Sequence, residues 1–516
     1  MKKIICLMIF MFIALYAPVR LNAGALPEYV RVGLTGLSGA SAVPVGNGRI
    51  AVGYGYDMYF TRSAELAGNL TAVTADFYFV DTGVYYTDYF TAKNAADAYV
   101  YAGQNAAAAL LDDYSFAVYI GGFTSEADAI DAAGMLPGSA VLPPARRAAI
   151  ADNGHIALIF DNLYKHGRIA AADGEFIIIG GKTYRGSVEL YTDQRGLSPV
   201  NVLLTEDYIC GVVASEMLLG HIEGAKAQAV ACRSYFATQR GVHAPDGFEI
   251  CDTVHCQNYL GTEKETEVSM RAARETAGVM AYYDGAVINA TYFSSSGGAT
   301  ANSEDVWSNV IPYLRSVDDH YEDTAKIWER SFTLSEITDL LYKNKVDVGS
   351  AVSVAITETA ACGRVNRLTL TGTNGTHDLT KEGIRTFFSY AGGLLESRNF
   401  TVAGASSAGF SGMGKEITVT DGYAGASLPV NAVYVYHPGG YAVKLSEAYI
   451  LGADTSVYAG DASASVTSAA GGAVVFYGRG YGHGVGMSQH GANAMARAGF
   501  NYVDILKHYY TGIDVR

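Results

Sequence analysis

The segment Ala214-Ser215-Glu216-Met217, followed by Ala225-Lys226-Ala227-Gln228-Ala229-Val230-Ala231-Cys232-Arg233-Ser234-Tyr235, decides how this chain is read. It sets one carboxylate among Val212, Val213, Ala214, Met217, Leu218 and Leu219. A carboxylate in apolar surroundings loses hydration, so its pKa rises toward the pH at which it can donate a proton. The alanine-rich run that follows reads as a helix, and Lys226, Arg233 and Arg240, seven residues apart, share one of its faces. One acid beside a cationic, amide-bearing face points to general acid–base chemistry on a neutral polar polymer. Taken alone, Glu216 reads equally as a surface or helix-capping glutamate.

Further motifs stand in a fixed order around it. Tyr184-Arg185-Gly186 and Val200-Asn201-Val202-Leu203-Leu204-Thr205-Glu206-Asp207-Tyr208 lead in. Cys251-Asp252-Thr253-Val254-His255-Cys256-Gln257 follows, then Thr291-Tyr292-Phe293-Ser294-Ser295-Ser296-Gly297-Gly298. The stretch Gly478-Arg479-Gly480-Tyr481-Gly482-His483-Gly484-Val485-Gly486-Met487-Ser488-Gln489-His490-Gly491-Ala492 closes the set. Together these motifs, from about Gly180 to the C-terminus, resemble the stage II sporulation protein D family, which includes amidase-enhancer relatives; several motifs in order are far more specific than any one. One position departs from the family, which usually has Ser-Glu-Met-Pro where this chain has Leu218. The proline would fix φ after the glutamate, but its loss removes no chemical group.

Composition bounds the remaining classes. The 516 residues suffice for several domains, and 49% hydrophobic with 17% charged content supports a large core. A net charge of −15 argues against a nucleic-acid partner, which needs a basic face. Tyr (37) and Phe (20) are abundant; exposed aromatics with a polar tip stack on sugars, although most aromatics are expected in strands. At the N-terminus, Lys2 and Lys3 precede an apolar run from Ile4 to Tyr16, with small residues near Ala23. The run is too short to span a bilayer, so residues 1–23 read as an export signal, with an uncleaved anchor as the alternative. Beyond Cys6, five cysteines remain, an odd set unlike a disulfide scaffold.

The pattern along the chain predicts an α+β fold of mixed sheets with helices. Residues 24–153 read as an accessory domain, followed by a core over 154–516 with insertions near 331–475. Within the accessory region, Tyr89–Ala98 and Gly122–Ala129 look alike, each an aromatic–Thr turn leading into an alanine-rich helix. The second resembles the sporulation-related repeat, a fold that binds glycan strands stripped of peptides. Pro137-Gly138 to Pro143-Pro144 reads as the linker. Helices are expected at about 205–214, 224–239, 267–277, 334–343, 380–388 and 488–498, and Gly404 to Gly414 as a Gly/Ser-rich loop.

Hydrolysis of a glycoside by water usually takes two carboxylates. One acid suffices when the sugar's own hydroxyl is the nucleophile, and the resemblance implies that chemistry, lytic transglycosylation of peptidoglycan, with Glu216 as acid and base. Gln228 and Arg233 read as substrate-orienting groups, with Lys226 and Tyr235 beside them; the alternative is a solvated helix face. Ser294, Ser295 and Ser296 lie outside any Gly-x-Ser-x-Gly elbow and read as groove-lining hydroxyls rather than nucleophiles. The glycines of 478–486 lack the Gly-Lys-Ser/Thr ending of a phosphate loop. They read as a close backbone approach to a sugar, with His483, Gln489 and His490 binding substrate or supporting Glu216. His243, Cys251, His255 and Cys256 are metal-ligand types within fourteen residues, suited to structural Zn²⁺, as in some family members; a Cys251–Cys256 disulfide and free thiols remain open. No motif calls for an organic cofactor. The resemblance implies glycan strands as substrate, a cell-wall amidase as partner, and a role in engulfment during sporulation. Two rivals stand beside it: a non-catalytic wall-binding amidase enhancer, and a zinc hydrolase built on the Cys/His loop.

Overall fold

The strands on the N-terminal side of residue 153 do not close into a unit of their own; they pair with strands from beyond it. A computed structural model describes residues 26–403 and 473–516, apart from 47, 57, 58, 162–165, 218, 219 and 324, with only five short strands between 404 and 472. The export segment and the Gly404–Gly414 loop therefore lie outside the described residues.

The architecture is α+β. A seven-stranded sheet runs in the order Ile250–Cys251, Tyr29–Gly33, Gly196–Leu204, Ser187–Asp193, Gly167–Ala171, Arg49–Tyr56 and Tyr59–Ala67. Its pairings are antiparallel except the first, where Gly33 lies opposite Cys251 in a parallel pair. Tyr29–Gly33 reads as alternating apolar and polar residues, and Val30 and Val32 point into the core. A ten-stranded sheet joins Lys182–Arg185 and Phe176–Ile179 to strands from residues 42–161. Both sheets thus mix strands from either side of residue 153, which itself sits in the hairpin between Arg147–Asp152 and His155–Asp161. The stretch Ala140–Leu142, read from its prolines as part of a linker, is a strand paired with Phe79–Asp81. Proline punctuation marks the two ends of that strand rather than a domain border.

The two look-alike β–α units form one β-α-β-β-α-β module over Tyr78–Leu142, with helices at Tyr89–Tyr101 and Glu126–Gly134. Asp88 and Ser125 cap the two helices by accepting from the N–H groups of Thr91 and Asp128.

The helical layer centres on Ile222–Gln239, which packs against the helices Thr205–Glu216, Glu267–Glu275, Gln489–Arg497 and Tyr502–Tyr509. Small residues make this possible. Ala225, Ala227, Ala229 and Ala231 are buried, and a Cβ at Gly224 would stand 2.7 Å from Asn493 Oδ1. Expected helix ends extend by one or two residues at Glu216 and Ile222, which is ordinary for end positions. The helix expected over 380–388 is present but starts later, at Gly383–Phe387, because Thr380 ends the strand Gly375–Thr380. Residues 327–403 and 473–479 pack around a core of their own, with Ala473–Arg479 between Ile327–Thr333 and Phe400–Ala403.

The closing glycine-rich motif docks against the serine–glycine motif. Tyr292 and Phe293 pair in parallel with Met487 and Ser488. Gly486, at φ +81, brings its Cα so near that a Cβ would lie 2.0 Å from the Thr291 carbonyl oxygen. Beneath this junction sits Asp319, fully buried, accepting from the Tyr509 hydroxyl at 2.8 Å. Burial pushes its carboxyl from 3.8 up to about 6, against hydrogen bonds from Ser296, Tyr509 and Ser488 and with help from the nearby Glu322 charge. Between these two pH values the folded chain keeps a proton that the unfolded chain has released. Stability is therefore full at the acid side and falls as pH rises through the window, by an amount on the order of 2–3 kcal/mol. Urea unfolding of the native chain should show this fall between about pH 4 and 6, and Asp319→Asn should flatten it; an unchanged slope in Asp319→Asn would contradict the assignment.

Candidate functional site

Glu216 is the last residue of the helix Thr205–Glu216. A helix C-terminus is the unfavourable end for an anion, and the side chain is half-buried besides. Burial raises its pKa, opposed by hydrogen bonds from the Asn258 backbone N–H, the Tyr292 side chain and the Gln489 side chain. The Asn258 N–H bond to Glu216 Oε1 is 2.6 Å long. The same loop is tied to the helix end twice more: Asn258 Nδ2 donates to the Ser215 carbonyl at 3.2 Å, and the Leu260 N–H to Ser215 Oγ at 3.3 Å. The 250s loop thus orients the carboxyl group, while the Tyr292 and Gln489 side chains favour its charged form. Of the apolar neighbours expected around it, Leu218 and Leu219 lie outside the described residues.

The structure gathers His243, Cys251, His255 and Cys256 so that one ligand atom from each lies within 4.8 Å of all the others. His243 Nε2 is 3.2 Å from His255 Nδ1, which is 3.4 Å from Cys256 Sγ and 3.8 Å from Cys251 Sγ. A tetrahedral ion bonded at about 2.3 Å to sulfur and 2.0–2.1 Å to nitrogen has ligand–ligand edges of about 3.3–3.8 Å. These separations fit such a site. Cys251 and Cys256 are free thiols, not a disulfide. The hydrogen bond between the two thiols, with burial on the Cys256 side, holds Cys251 well below its usual range and pushes Cys256 up. Asp246 Oδ2 lies 2.8 Å from His243 Nδ1, the outer carboxylate that turns Nε2 toward the cluster. The loop itself is pinned by Asp252, whose carboxylate accepts from the Thr35 N–H and hydroxyl.

Other sequence candidates separate into three groups. Gln489 reaches Glu216, and Tyr235 lies between the two centres, its ring 6.4 Å from that of Tyr292 and its hydroxyl pushed up to about 12 by burial. His483 supports rather than faces the acid: its Nδ1 accepts the Val485 N–H at 3.1 Å, and the ring hydrogen-bonds the Tyr292 backbone. Burial pushes it down to about 3, with Arg385 and Arg364 adding to the effect, so it is neutral. His490 uses its backbone N–H to hold the Ser294 carbonyl at 3.0 Å.

The helix residues expected to orient substrate are engaged elsewhere. Arg233 is fully buried, forks onto Glu206 at 2.6 and 3.0 Å, and donates to the carbonyls of Ala229 and Val279. A buried guanidinium held by a carboxylate and by backbone carbonyls is the mark of a structural residue. Lys226 bridges Glu223 and Glu275 at 2.9 and 2.8 Å. Gln228 is fully buried, its Nε2 against Cys232 Sγ. The face that the seven-residue spacing assigns to substrate is covered at Lys226 and Arg233 by neighbouring helices and their ion pairs. Ser295 and Ser296 donate to the buried Glu322 carboxylate, which also receives the Gly297 N–H at 2.7 Å, so their hydroxyls shape the turn. Ser294 is half-buried beside them.

Three residues at Glu216 escaped the sequence reading: Gln257, Asn258 and Tyr292. Tyr292 stands inside the serine–glycine motif, but the adjacent serines drew the chemistry. Gln257 and Asn258 directly follow Cys256, and this adjacency to the Cys/His loop was the available signal.

Comparison with known proteins agrees with the motifs. Residues 193–283 match the family model described as SpoIID, Stage II sporulation protein, and residues 300–415 match a domain of unknown function, DUF8618. The chain is 30% identical over 313 residues to the Amidase enhancer of Bacillus subtilis (strain 168), covering 58% of this chain and 39% of that protein. It is 29% identical over 332 residues to Stage II sporulation protein D of the same organism, covering 60% and 74%. It is 27% identical over 357 residues to an uncharacterized protein of Brachyspira hyodysenteriae (strain ATCC 49526 / WA1), covering 68% and 77%. The match to the Amidase enhancer thus spans less than half of that protein. Glu216 and the Cys/His loop both lie inside the segment that is similar to the stage II sporulation protein model.

Proposed function

We propose that this chain is an exported peptidoglycan lytic transglycosylase in which Glu216 is the acid and then the base. The observation that carries the reading is the setting of Glu216. Burial and three hydrogen bonds set its proton affinity, not a neighbouring carboxylate. A raised pKa favours the protonated form that an acid needs, and the Asn258 N–H bond to Oε1 fixes how the carboxyl group sits. Glu216 gives that proton to the oxygen between N-acetylmuramic acid and N-acetylglucosamine, and the C1–O bond breaks. The carboxylate left behind takes the proton from the muramic C6 hydroxyl as O6 bonds to C1. The product ends in a 1,6-anhydro ring, and the glutamate is again protonated. A hydrolytic route would call for a second carboxylate to activate water.

Relatives named for stage II of sporulation and for amidase enhancement support the cell wall as the setting. Strands stripped of peptide by an amidase are the substrate we assign, and the export segment over residues 1–23 takes the chain there. The relative named Amidase enhancer favours a second reading, a wall-binding protein that stimulates an amidase and leaves strands uncut.

His243, Cys251, His255 and Cys256 would hold a structural zinc ion. With four protein ligands it leaves no open position for chemistry and supplies rigidity to the loop that ends in Asn258. Metal analysis of the purified chain should find one zinc per chain, and chelation should lower the melting temperature. Metal-free protein whose mass shows a Cys251–Cys256 disulfide would overturn this assignment.

Mass analysis of amidase-stripped peptidoglycan tests the function. The native chain should yield anhydro-muramic products, and Glu216→Gln should lose about 10²–10⁴-fold in rate while still binding strands. Bound strands of unchanged length with the native chain would shift the reading to the amidase enhancer.

A further inference from the structure

The chain has two tryptophans, and the fold treats them differently. Trp328 is buried, and its Nε1 donates to Ser397 Oγ at 3.2 Å. Trp307 is only half-buried, and among the described residues nothing accepts from its Nε1. An indole normally spends its N–H when it packs against protein. Trp307 is nonetheless held in place. Its backbone N–H donates to the Ser303 carbonyl at 2.7 Å. Its ring lies 5.2 Å from that of His483, which lies 5.6 Å from that of Phe293. The indole also packs on the apolar cluster that contains Met217, the residue after Glu216. Beside it stands a cation. The Trp307 carbonyl accepts from Lys381 Nζ at 2.9 Å. An ammonium has three donors, and this bond uses one. Lys381 is half-buried, and among the described residues no carboxylate pairs with it. The acids nearest in sequence are engaged: Glu382 with Arg385, Glu304 with Arg315, and Asp305 with Asn302.

We propose that Trp307 and Lys381 form a sugar subsite for N-acetylmuramic acid whose lactyl carboxylate is free. The indole stacks on the apolar face of the sugar ring, and the Lys381 ammonium pairs with the carboxylate. The inference rests on the reading of the chain as acting on amidase-stripped strands, and it names the group that marks them. In intact wall the lactyl carboxyl is an uncharged amide joined to peptide. An amidase releases it as a carboxylate. A peptide-bearing sugar therefore loses the ion pair and brings bulk to the same point, two effects that discriminate against it. A net charge of −15 repels an anionic strand, so recognition of its carboxylates has to be local. An ammonium with no carboxylate of its own supplies that recognition. A sugar held away from the scissile bond also serves a site with one acid, since remote binding energy goes into orienting the reacting unit.

The test measures binding in the full chain carrying Glu216→Gln, so that no strand is cut during the titration. Tryptophan emission is followed as amidase-stripped strands are added, and again with the same strands after their carboxyls are converted to methylamides. Stripped strands should shift the emission. The shift should vanish in Trp307→Phe and persist in Trp328→Phe. Methylamide strands should bind about three- to tenfold more weakly, a difference that shrinks with added salt. In Lys381→Met the two kinds of strand should bind alike, and Lys381→Arg should keep the preference. Equal affinity for the two strands, a preference that survives in Lys381→Met, or an emission shift kept in Trp307→Phe would each overturn the proposal. The strand comparison uses the unaltered subsite, so it decides the matter even where a variant does not fold. Binding does not depend on turnover. Selective binding without anhydro products would leave the subsite standing and sink the transglycosylase reading alone.

Discussion

Everything at this site depends on a carboxyl group placed at the wrong end of a helix. Glu216 closes the helix Thr205–Glu216, where the backbone dipole opposes negative charge, and half-burial opposes it further. Such a group stays neutral at higher pH than a solvated glutamate unless donors are brought to it. The fold brings three, each from a different element. The balance between burial and those donors is the property that suits one residue to act as both acid and base.

The arrangement explains why elements far apart in sequence are needed together. The strand Tyr29–Gly33 pairs with Ile250–Cys251 and so seats the Cys/His loop. That loop carries Asn258 to the helix end. Parallel pairing of Tyr292 and Phe293 with Met487 and Ser488 sets Tyr292 and Gln489 side by side. The alanine-rich helix Ile222–Gln239 allows the close approach of its neighbours that this convergence needs. Its buried arginine, paired with Glu206, locks the packing rather than touching a ligand.

Much of this was legible in the residues. The apolar flanks of Glu216 announced a raised pKa, and the four ligand types of the 243–256 segment assemble as a cluster. The α+β class and most helices follow from composition and period. What was not legible is tertiary. Lys226, Gln228 and Arg233 share a helix face, but period alone does not say whether water or protein meets it. Ser295 and Ser296 read as groove-lining hydroxyls until Glu322, 26 residues beyond Ser296, is seen to accept from them. The border expected at residue 153 dissolves because strand partners are chosen by the sheet, not by chain order. Asn258 reaches Glu216 through its backbone N–H, which no side-chain spacing encodes.

The central claim is that one carboxyl group cuts a glycan strand without water entering the product. Incubation of amidase-stripped strands with the native chain in H₂¹⁸O, followed by mass analysis of the new ends, tests it most directly. Unlabelled 1,6-anhydro ends are the expected result. Reducing ends carrying ¹⁸O would contradict the account, since they require an activated water and a second base.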